Sequence, residues 1–225
     1  MKSAVVLLSG GMDSTTLLHF VKGRKKVRSL FALSFAYGQK HSKELNMARW
    51  QAHAAGVKEH KVVDISFFGQ LVCGSALTDV SVKIPDLKDL SGRNRRQPPT
   101  YVPNRNMMFL SLAAAYAEAR GITDIFYGAQ AQDEYGYWDC TVDFVKRINH
   151  ILRLNRGRPV RVHAPFAGMK KAKVLRIGLA LGVDYSHSWS CYRGGATPCV
   201  TCPTCVERAA AFRDVGVADP ALQDR

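Results

Sequence analysis

Apolar and polar positions follow two patterns that alternate along this chain. Short, continuously apolar runs predict buried strands, and apolar residues that recur every three or four positions predict amphipathic helices. The predicted strands are 3–9, 29–35, 60–66, 122–129 and 160–166. The predicted helices are 13–22, 41–56, 106–121, 139–154, 170–182 and 206–216, with Asp139 as the cap of the fourth. This alternation predicts an α/β fold with a parallel five-stranded sheet flanked by helices.

Two segments depart from the alternation. Residues 67–105 contain four prolines and the basic cluster RNRRQ at 93–97, and a connection of this length is usually functional or disordered. Four of the six cysteines crowd near the other end of the chain. We therefore expect a nucleotide-binding α/β domain over 1–185, and a small metal-binding helical region over 186–225 that packs on it.

The formal net charge of the 225-residue chain is +14. Such an excess can serve anionic small molecules, nucleic acid or a membrane surface, and it does not choose between them. No apolar run reaches the length of a membrane span, and we interpret the first apolar stretch as a buried strand and not as a secretion signal. Clustered cysteines suggest metal in a reducing cytosol more than disulfides, so we expect a cytoplasmic location.

The first predicted strand meets the first predicted helix at LSGGMDS, residues 8–14. Glycines let a backbone approach a ligand, and the start of a helix presents free N–H groups that bind phosphate. The segment lacks the lysine of the G-x-x-x-x-G-K-[ST] phosphate loop. It resembles instead the PP-loop of the ATP pyrophosphatase superfamily, whose members cleave ATP between the α- and β-phosphates. The alternative is an ordinary strand-to-helix turn with Asp13 as its cap.

The cysteine cluster has the spacing C-x₇-C-x₂-C-x₂-C, formed by Cys191, Cys199, Cys202 and Cys205. Two-residue gaps allow two thiolates to bind one metal ion, and four sulfurs suit tetrahedral Zn²⁺. An iron–sulfur cluster is the alternative, although nothing else in the sequence suggests electron transfer. Because protein would fill all four positions, we expect a structural metal.

Further blocks follow in order: YGQKHSKE (37–44), YVPNRN (101–106), GAQAQDEYGYWDC (128–140) and CPTC (202–205). Together with the 8–14 segment they resemble the 7-cyano-7-deazaguanine synthases of queuosine biosynthesis over nearly the full length. The resemblance implies an adenine nucleotide alpha hydrolase-like fold and a homodimer. It also implies a ligase that uses ATP with Mg²⁺ and ammonia to convert 7-carboxy-7-deazaguanine to the nitrile through adenylated intermediates.

The same resemblance implies roles for individual residues. The predicted ATP-binding residues are Leu8, Ser9, Gly10, Gly11, Met12, Asp13, Ser14, Gln39 and His41, with Glu44 in the same motif. The predicted catalytic residues are Asp13, which would help to place Mg²⁺, Arg105 and Asp133. The predicted substrate-binding residues are Arg105, Asp133, Tyr137 and Asp139. The plainer alternatives are a surface salt bridge for Arg105, a solvated loop acid for Asp133 and a core side chain for Tyr137; Asn106 either caps a helix or contacts ligand.

Two positions depart from the family pattern and keep other functions open. Ala36 stands where the family commonly has an acid, and Trp138 stands where it commonly has proline. A divergent member could stop at the amide, or transfer the activated deazaguanine to another acceptor. The charge and the RNRR cluster weakly favour a PP-loop enzyme that modifies tRNA. A third alternative is a zinc-knuckle module that binds nucleic acid, with the α/β domain as its scaffold.

Overall fold

Five strands form the centre of the molecule in a computed structural model that describes residues 2–25, 27–91, 97–131 and 136–222. The strands are β1 (Ser3–Leu7), β2 (Ser29–Ala36), β3 (Glu59–Asp64), β4 (Asp124–Phe126) and β5 (Arg161–His163). They lie side by side in the order β3-β2-β1-β4-β5, and each neighbouring pair is parallel. The predicted fold class is confirmed.

Helices cover both faces of this sheet. They are α1 (Met12–Arg24), α2 (Lys43–Ala54), α3 (Phe67–Leu71), α4 (Arg105–Ala119), α5 (Val142–Leu152), α6 (Lys171–Ala180) and α7 (Pro203–Val215). The short helix α3 was not predicted and lies in the proline-containing connection. Among the described helices, none combines the length and the hydropathy that crossing a bilayer requires.

Alternate residues of β1 enter two different cores. Val5 and Leu7 pack with Ile125, Leu110 and other apolar side chains on the face that α4 and α5 cover. On the opposite face, which α1, α2 and α6 cover, Ala4 and Val6 pack in a second cluster. Strands that are buried on both faces have continuously apolar sequences, which explains why the strand predictions succeeded.

The predicted ends of several elements were wrong. Within the predicted strands 122–129 and 160–166, only the residues of β4 and β5 pair with a neighbouring strand. The apolar residues that follow β4, such as Tyr127 and Ala129, are buried although they do not continue the ladder, so an apolar run overestimates the length of the strand. Helix α5 begins at Val142, where the Thr141 hydroxyl accepts a hydrogen bond from Phe144 N at 3.0 Å. Asp139 is therefore not its cap.

The cysteine-rich end of the chain packs on the rest through α7. Phe212 lies in a buried cluster with Leu175 of α6 and Met12 of α1. In the same cluster, Tyr185 places its hydroxyl 2.7 Å from the Thr16 hydroxyl. The region that follows residue 185 is therefore fixed directly against the start of α1.

The strand order places a crevice next to β1. The chain runs from β1 to β2, which lies on one side of β1 within the sheet, whereas β4 lies on the other side of β1. In open parallel sheets, ligands bind at the carboxyl ends of strands where the connections diverge in this way. Gly128, just after β4, lies next to the β1–α1 turn at this end, since a Cβ atom there would be in ordinary van der Waals contact with Ser14 N at 3.5 Å.

Candidate active site

The turn between β1 and α1 is shaped by its own hydroxyl groups. Ser14 Oγ donates to Gly11 O at 3.1 Å and accepts from Ser9 N at 3.2 Å, and Gly11 N donates to Ser9 Oγ at 3.2 Å. The N-cap of α1 is Gly11, which has no side chain to accept from the first-turn amides. Those amides and the positive end of the helix remain available to an anion.

Gly10 allows the turn to lie against another helix. Its φ is +88°, and a Cβ atom would lie 2.7 Å from Ala48 N of α2 and closer still to the Glu44 carbonyl oxygen. On the other side, Trp189 N donates to Gly10 O at 3.0 Å. Glycine is required at this position by both the backbone conformation and the space.

The turn opens into a cavity of about 250 Å³ at the carboxyl end of the sheet. Its wall combines residues that are distant in sequence. They include Ser9, Gly11, Asp13 and Ser14 of the turn, Tyr37, Gln39, His41 and Glu44 after β2, Arg105 and Asn106 of α4, Tyr137 and Cys140 after β4, Lys171 of α6, and Trp189, Ser190, Tyr192 and Thr204. The predicted ATP-binding residues Leu8 and Met12 also line it, whereas Gly10 stands behind the wall.

Asp13 lies beside Lys171 at the base of this cavity. Lys171 Nζ is 3.6 Å from Asp13 Oδ2 and 2.8 Å from Glu207 Oε2. Burial raises the pKa of Asp13, and the charge of Lys171 opposes that shift. Asp13 Oδ1 is buried and has no hydrogen-bond partner among the described residues. A cation or a proton donor at this oxygen would satisfy it, so the site fits the Mg²⁺ ion that the sequence predicts.

Arg105 brings a guanidinium group to the opposite part of the cavity. Its Nη1 donates to the Tyr37 hydroxyl at 3.2 Å, and its plane lies near the Tyr37 and Phe109 rings. Its Nε is buried and has no hydrogen-bond partner among the described residues. None of the described carboxylates lies within 4.0 Å of the guanidinium. Arg105 is therefore placed to receive an anion, and the alternative of a surface salt bridge does not apply within the described chain.

The segment after β2 contributes residues of different kinds. The Gln39 side chain accepts from Tyr37 N at 2.8 Å and donates to Phe35 O at 3.2 Å, so it stabilises the loop. Burial lowers the pKa of His41, whose ring packs against Gly194. Burial raises the pKa of Glu44 to about 7, and the nearby charge of Arg105 opposes that shift.

The 136–140 segment forms another part of the wall. Tyr137 lines the cavity with its hydroxyl 2.7 Å from Thr100 Oγ1. Asp139 is 1 % exposed and does not reach the described cavity surface; its Oδ2 accepts from Asn106 N at 3.2 Å. Asn106 lies inside α4, and its Nδ2 donates to Cys140 Sγ at 3.3 Å. Asp139 therefore does not line the cavity itself but fixes the first turn of α4, which does.

Four other features of the sequence can be placed or set aside. Asp133 and most of the RNRRQ cluster lie outside the described residues. Trp138 is 45 % exposed and donates from Nε1 to the Tyr101 hydroxyl at 2.7 Å. Asn104, the N-cap of α4, has φ +55°, a left-handed conformation that asparagine adopts more easily than most residues.

The four clustered cysteines bring their sulfur atoms together. All four lie within 4.8 Å of one another, and Cys199 Sγ is 3.9 Å from Cys205 Sγ. Tetrahedral zinc with Zn–S bonds of about 2.3 Å requires sulfurs about 3.8 Å apart. Backbone N–H groups of Cys199 and Cys202 donate to sulfurs of the cluster at 3.4 Å and 3.3 Å. The cluster is therefore compatible with a metal site.

This cysteine cluster packs directly behind the cavity wall, next to the lining residue Trp189. Cys191, Cys202 and Cys205 share a buried cluster with Trp189. Lys43 at the start of α2 donates to the carbonyl groups of Gly195 and Ala196, and its ammonium lies 4.3 Å from the Trp189 ring centroid. The cysteine-rich region thus contacts both the β1–α1 turn, through Trp189, and α2, through Lys43.

Comparison with known proteins agrees with this arrangement. A family model described as "Queuosine biosynthesis protein QueC" matches residues 3–216. The chain belongs to the QueC family. A curated 7-cyano-7-deazaguanine synthase from Caldicellulosiruptor saccharolyticus is 48 % identical over 217 residues, which cover 96 % of this chain and 93 % of that protein. Another, from Archaeoglobus fulgidus, is 47 % identical over 223 residues, which cover 98 % and 90 %. The predicted family is confirmed.

Among solved structures, the NMN synthetase of Francisella tularensis superposes with a TM-score of 0.50 at 14 % identity. The match covers 98 % of this QueC-family chain and 80 % of that protein, and it shows a shared fold.

Within that fold, Lys171 is a site residue that was not predicted. It lies in KKAK, which suggests a solvated charged face. Its position in the segment after β5, at the carboxyl end of the sheet, is the signal that could have identified it.

Proposed function

We propose that this QueC-family enzyme is an ATP-dependent ligase that converts 7-carboxy-7-deazaguanine and ammonia to 7-cyano-7-deazaguanine. One observation carries the proposal. The uncapped amides of the α1 turn and the guanidinium of Arg105, whose buried Nε has no hydrogen-bond partner among the described residues, enter the same cavity. The first suits the phosphates of a nucleotide, and the second suits the carboxylate of an acid substrate.

The chemistry explains why both groups are needed. A carboxylate is a poor electrophile because its oxide is a poor leaving group. Transfer of AMP from ATP makes an acyl adenylate and releases pyrophosphate, and ammonia then displaces AMP to give the amide. A second adenylation activates the amide oxygen, and loss of AMP leaves the nitrile. One nucleotide site serves both rounds, so the protein acts mainly by positioning and by stabilising charge.

The turn holds the nucleotide in this proposal. Its amides, with Ser9 and Ser14, bind the β- and γ-phosphates that leave as pyrophosphate. Bound Mg²⁺ neutralises charge that develops on the phosphates, and Asp13 would hold it through the buried oxygen that lacks a partner. The charge of Lys171 opposes the rise that burial causes in the pKa of Asp13, and it adds a positive charge to the same end of the cavity.

The opposite end would hold the deazaguanine. Arg105 binds the 7-carboxylate, and Tyr137 stacks on or borders the heterocycle. By family resemblance alone we assign Asp133, which lies outside the described residues, to accept hydrogen bonds from the guanine-like N–H groups. Asp139 positions this end by holding the first turn of α4, and therefore Arg105, against the 136–140 segment.

We propose structural Zn²⁺ for the cysteine cluster. Four thiolates at tetrahedral spacing leave no position for water, which suits a structural and not a catalytic metal. Thiols that are retained as metal ligands suit a reducing compartment, so we propose a cytoplasmic enzyme. By family resemblance we propose a homodimer, which sedimentation equilibrium tests directly.

An isotope experiment tests the reaction. The enzyme is supplied with ATP, Mg²⁺, ammonia and 7-carboxy-7-deazaguanine that carries ¹⁸O in both carboxylate oxygens. Each adenylation transfers one carboxylate-derived oxygen to AMP, so we expect two singly labelled AMP molecules per nitrile by mass spectrometry. One labelled AMP per product, with the amide accumulating, would identify a divergent enzyme that stops early. ADP with orthophosphate, or AMP without label, would refute the proposal.

A further inference from the structure

Glu44 brings a carboxylate into a cavity whose other charges are mainly positive. Lys40, Arg105 and Lys171 all line the cavity, and its other described acid, Asp13, lies 3.6 Å from Lys171. The Glu44 side chain makes no hydrogen bond or ion pair with any described residue. Because Asp13 is assigned to Mg²⁺, Glu44 is the other described acid of the cavity and is available to a cationic substrate.

The position of Glu44 is fixed between the two halves of the site. It lies in the first turn of α2, and its backbone carbonyl lies against Gly10 of the phosphate-binding turn. Its carboxylate interacts electrostatically with Arg105 of α4 and with Tyr37 after β2. If the turn holds ATP and Arg105 holds the acid, the carboxyl group that receives AMP lies between them, in the part of the cavity that Glu44 borders.

The proposed reaction needs such a group. At neutral pH ammonia exists mostly as the ammonium ion, which has no lone pair and cannot attack an acyl adenylate. A cation also needs a compensating charge to enter a positively charged cavity. A carboxylate whose pKa burial raises to about 7 is ionised in part at neutral pH and is a stronger proton acceptor than an ordinary glutamate. The other titratable side chains that line the cavity are Asp13, Tyr37, Lys40, His41, Arg105, Tyr127, Tyr137, Cys140, Lys171 and Tyr192.

We propose that Glu44 is a catalytic residue that binds the ammonium ion and removes one of its protons. This inference rests on the proposed function. One N–H bond of ammonium breaks and its proton passes to a carboxylate oxygen of Glu44. The freed lone pair forms the C–N bond at the adenylated carboxyl carbon. The C–O bond to AMP then breaks, AMP leaves with the electron pair, the nitrogen loses a second proton to solvent, and Glu44 returns its own proton to solvent.

The test compares two nucleophiles in the Glu44→Gln enzyme. Hydroxylamine is largely unprotonated at neutral pH, so it needs no base. We expect kcat/KM for ammonium to fall by about 10² or more, within the range of general base catalysis. We expect hydroxamate formation from hydroxylamine to stay within a few-fold of the unmodified enzyme. The loss with ammonium should shrink as the pH rises and free ammonia accumulates.

Two controls make the result specific. Glu118→Gln removes the same charge from α4, outside the described cavity, and should leave both nucleophiles unaffected. Exchange of labelled pyrophosphate into ATP, with the carboxylate substrate and no ammonia, measures adenylation alone and should persist in Glu44→Gln.

The possible results separate this inference from the proposed function. Equal losses with ammonium and hydroxylamine would overturn the role of Glu44 as a base. If Glu44→Gln lost pyrophosphate exchange and extra Mg²⁺ restored it, Glu44 would be a metal ligand and not a base, and the inference would be overturned. Absence of exchange in the unmodified enzyme would refute the proposed function itself.

Discussion

Gly10→Ala tests whether the close approach of the β1–α1 turn to α2 is required. A methyl group at this position would lie 2.7 Å from Ala48 N and closer to the Glu44 carbonyl oxygen. Favourable contacts between heavy atoms begin near 3.5 Å, so the turn and α2 must separate by roughly 1 Å. The left-handed backbone adds about 1–2 kcal/mol, and overpacking adds about 1–3 kcal/mol.

We therefore expect the free energy of unfolding to fall by about 2–5 kcal/mol in urea titrations. A displacement of about 1 Å at a reacting centre can lower a rate by about 10², so pyrophosphate exchange should fall by a similar factor. The matched control is Gly216→Ala at the end of α7, because Gly216 has φ +82° and a Cβ there meets nothing within 4 Å. It carries the backbone strain without the contact. If Gly10→Ala lost no more stability and activity than this control, the argument from close packing would be wrong.

Three further predictions concern charge and metal. Arg105→Met should lower kcat/KM for the acid substrate by about 10–10², because a charge-assisted hydrogen bond contributes about 1.5–3 kcal/mol, whereas the exposed Arg147→Met should change steady-state kinetics little. Cys202→Ser should abolish stoichiometric metal binding and lower the free energy of unfolding by several kcal/mol. Cys73→Ser, which replaces an exposed thiol outside the cluster, should do neither. Metal retained by Cys202→Ser would contradict the four-thiolate site. The pKa of Glu44 is raised in the folded state from 4.5 to about 7, so the native state binds more protons and unfolding free energy should fall as pH rises through that window. Glu44→Gln should thus gain on the order of 2 kcal/mol over the unmodified protein between pH 5 and 8 in urea titrations, and a pH-independent difference would contradict this.

The sheet and the turn could be predicted from sequence because both depend on local pattern. Buried runs such as 3–9 and 29–35 indicate strands whatever surrounds them, and Gly10–Gly11 before Asp13 indicates a tight strand-to-helix turn. The reason for Gly10 could not be predicted, because the atoms that exclude a side chain belong to α2.

Side-chain direction was harder to predict than element type. Asp139 was expected both to cap α5 and to line the pocket, yet its carboxylate bonds to the first turn of α4. Lys171 resembles a surface lysine in KKAK, and only the tertiary fold places it between Asp13 and Glu207. Local spacing does not determine which distant element a charged group will meet.

The hydrogen bond from Trp189 N to Gly10 O joins the two ends of the polypeptide. During synthesis, the β1–α1 turn emerges from the ribosome long before Trp189. A nascent chain can form β1, α1 and β2 early, but the turn lacks this contact until the segment that contains Trp189 has been translated. We therefore expect ATP consumption to appear only after residue 189 has been translated, and not in a product that is truncated before it.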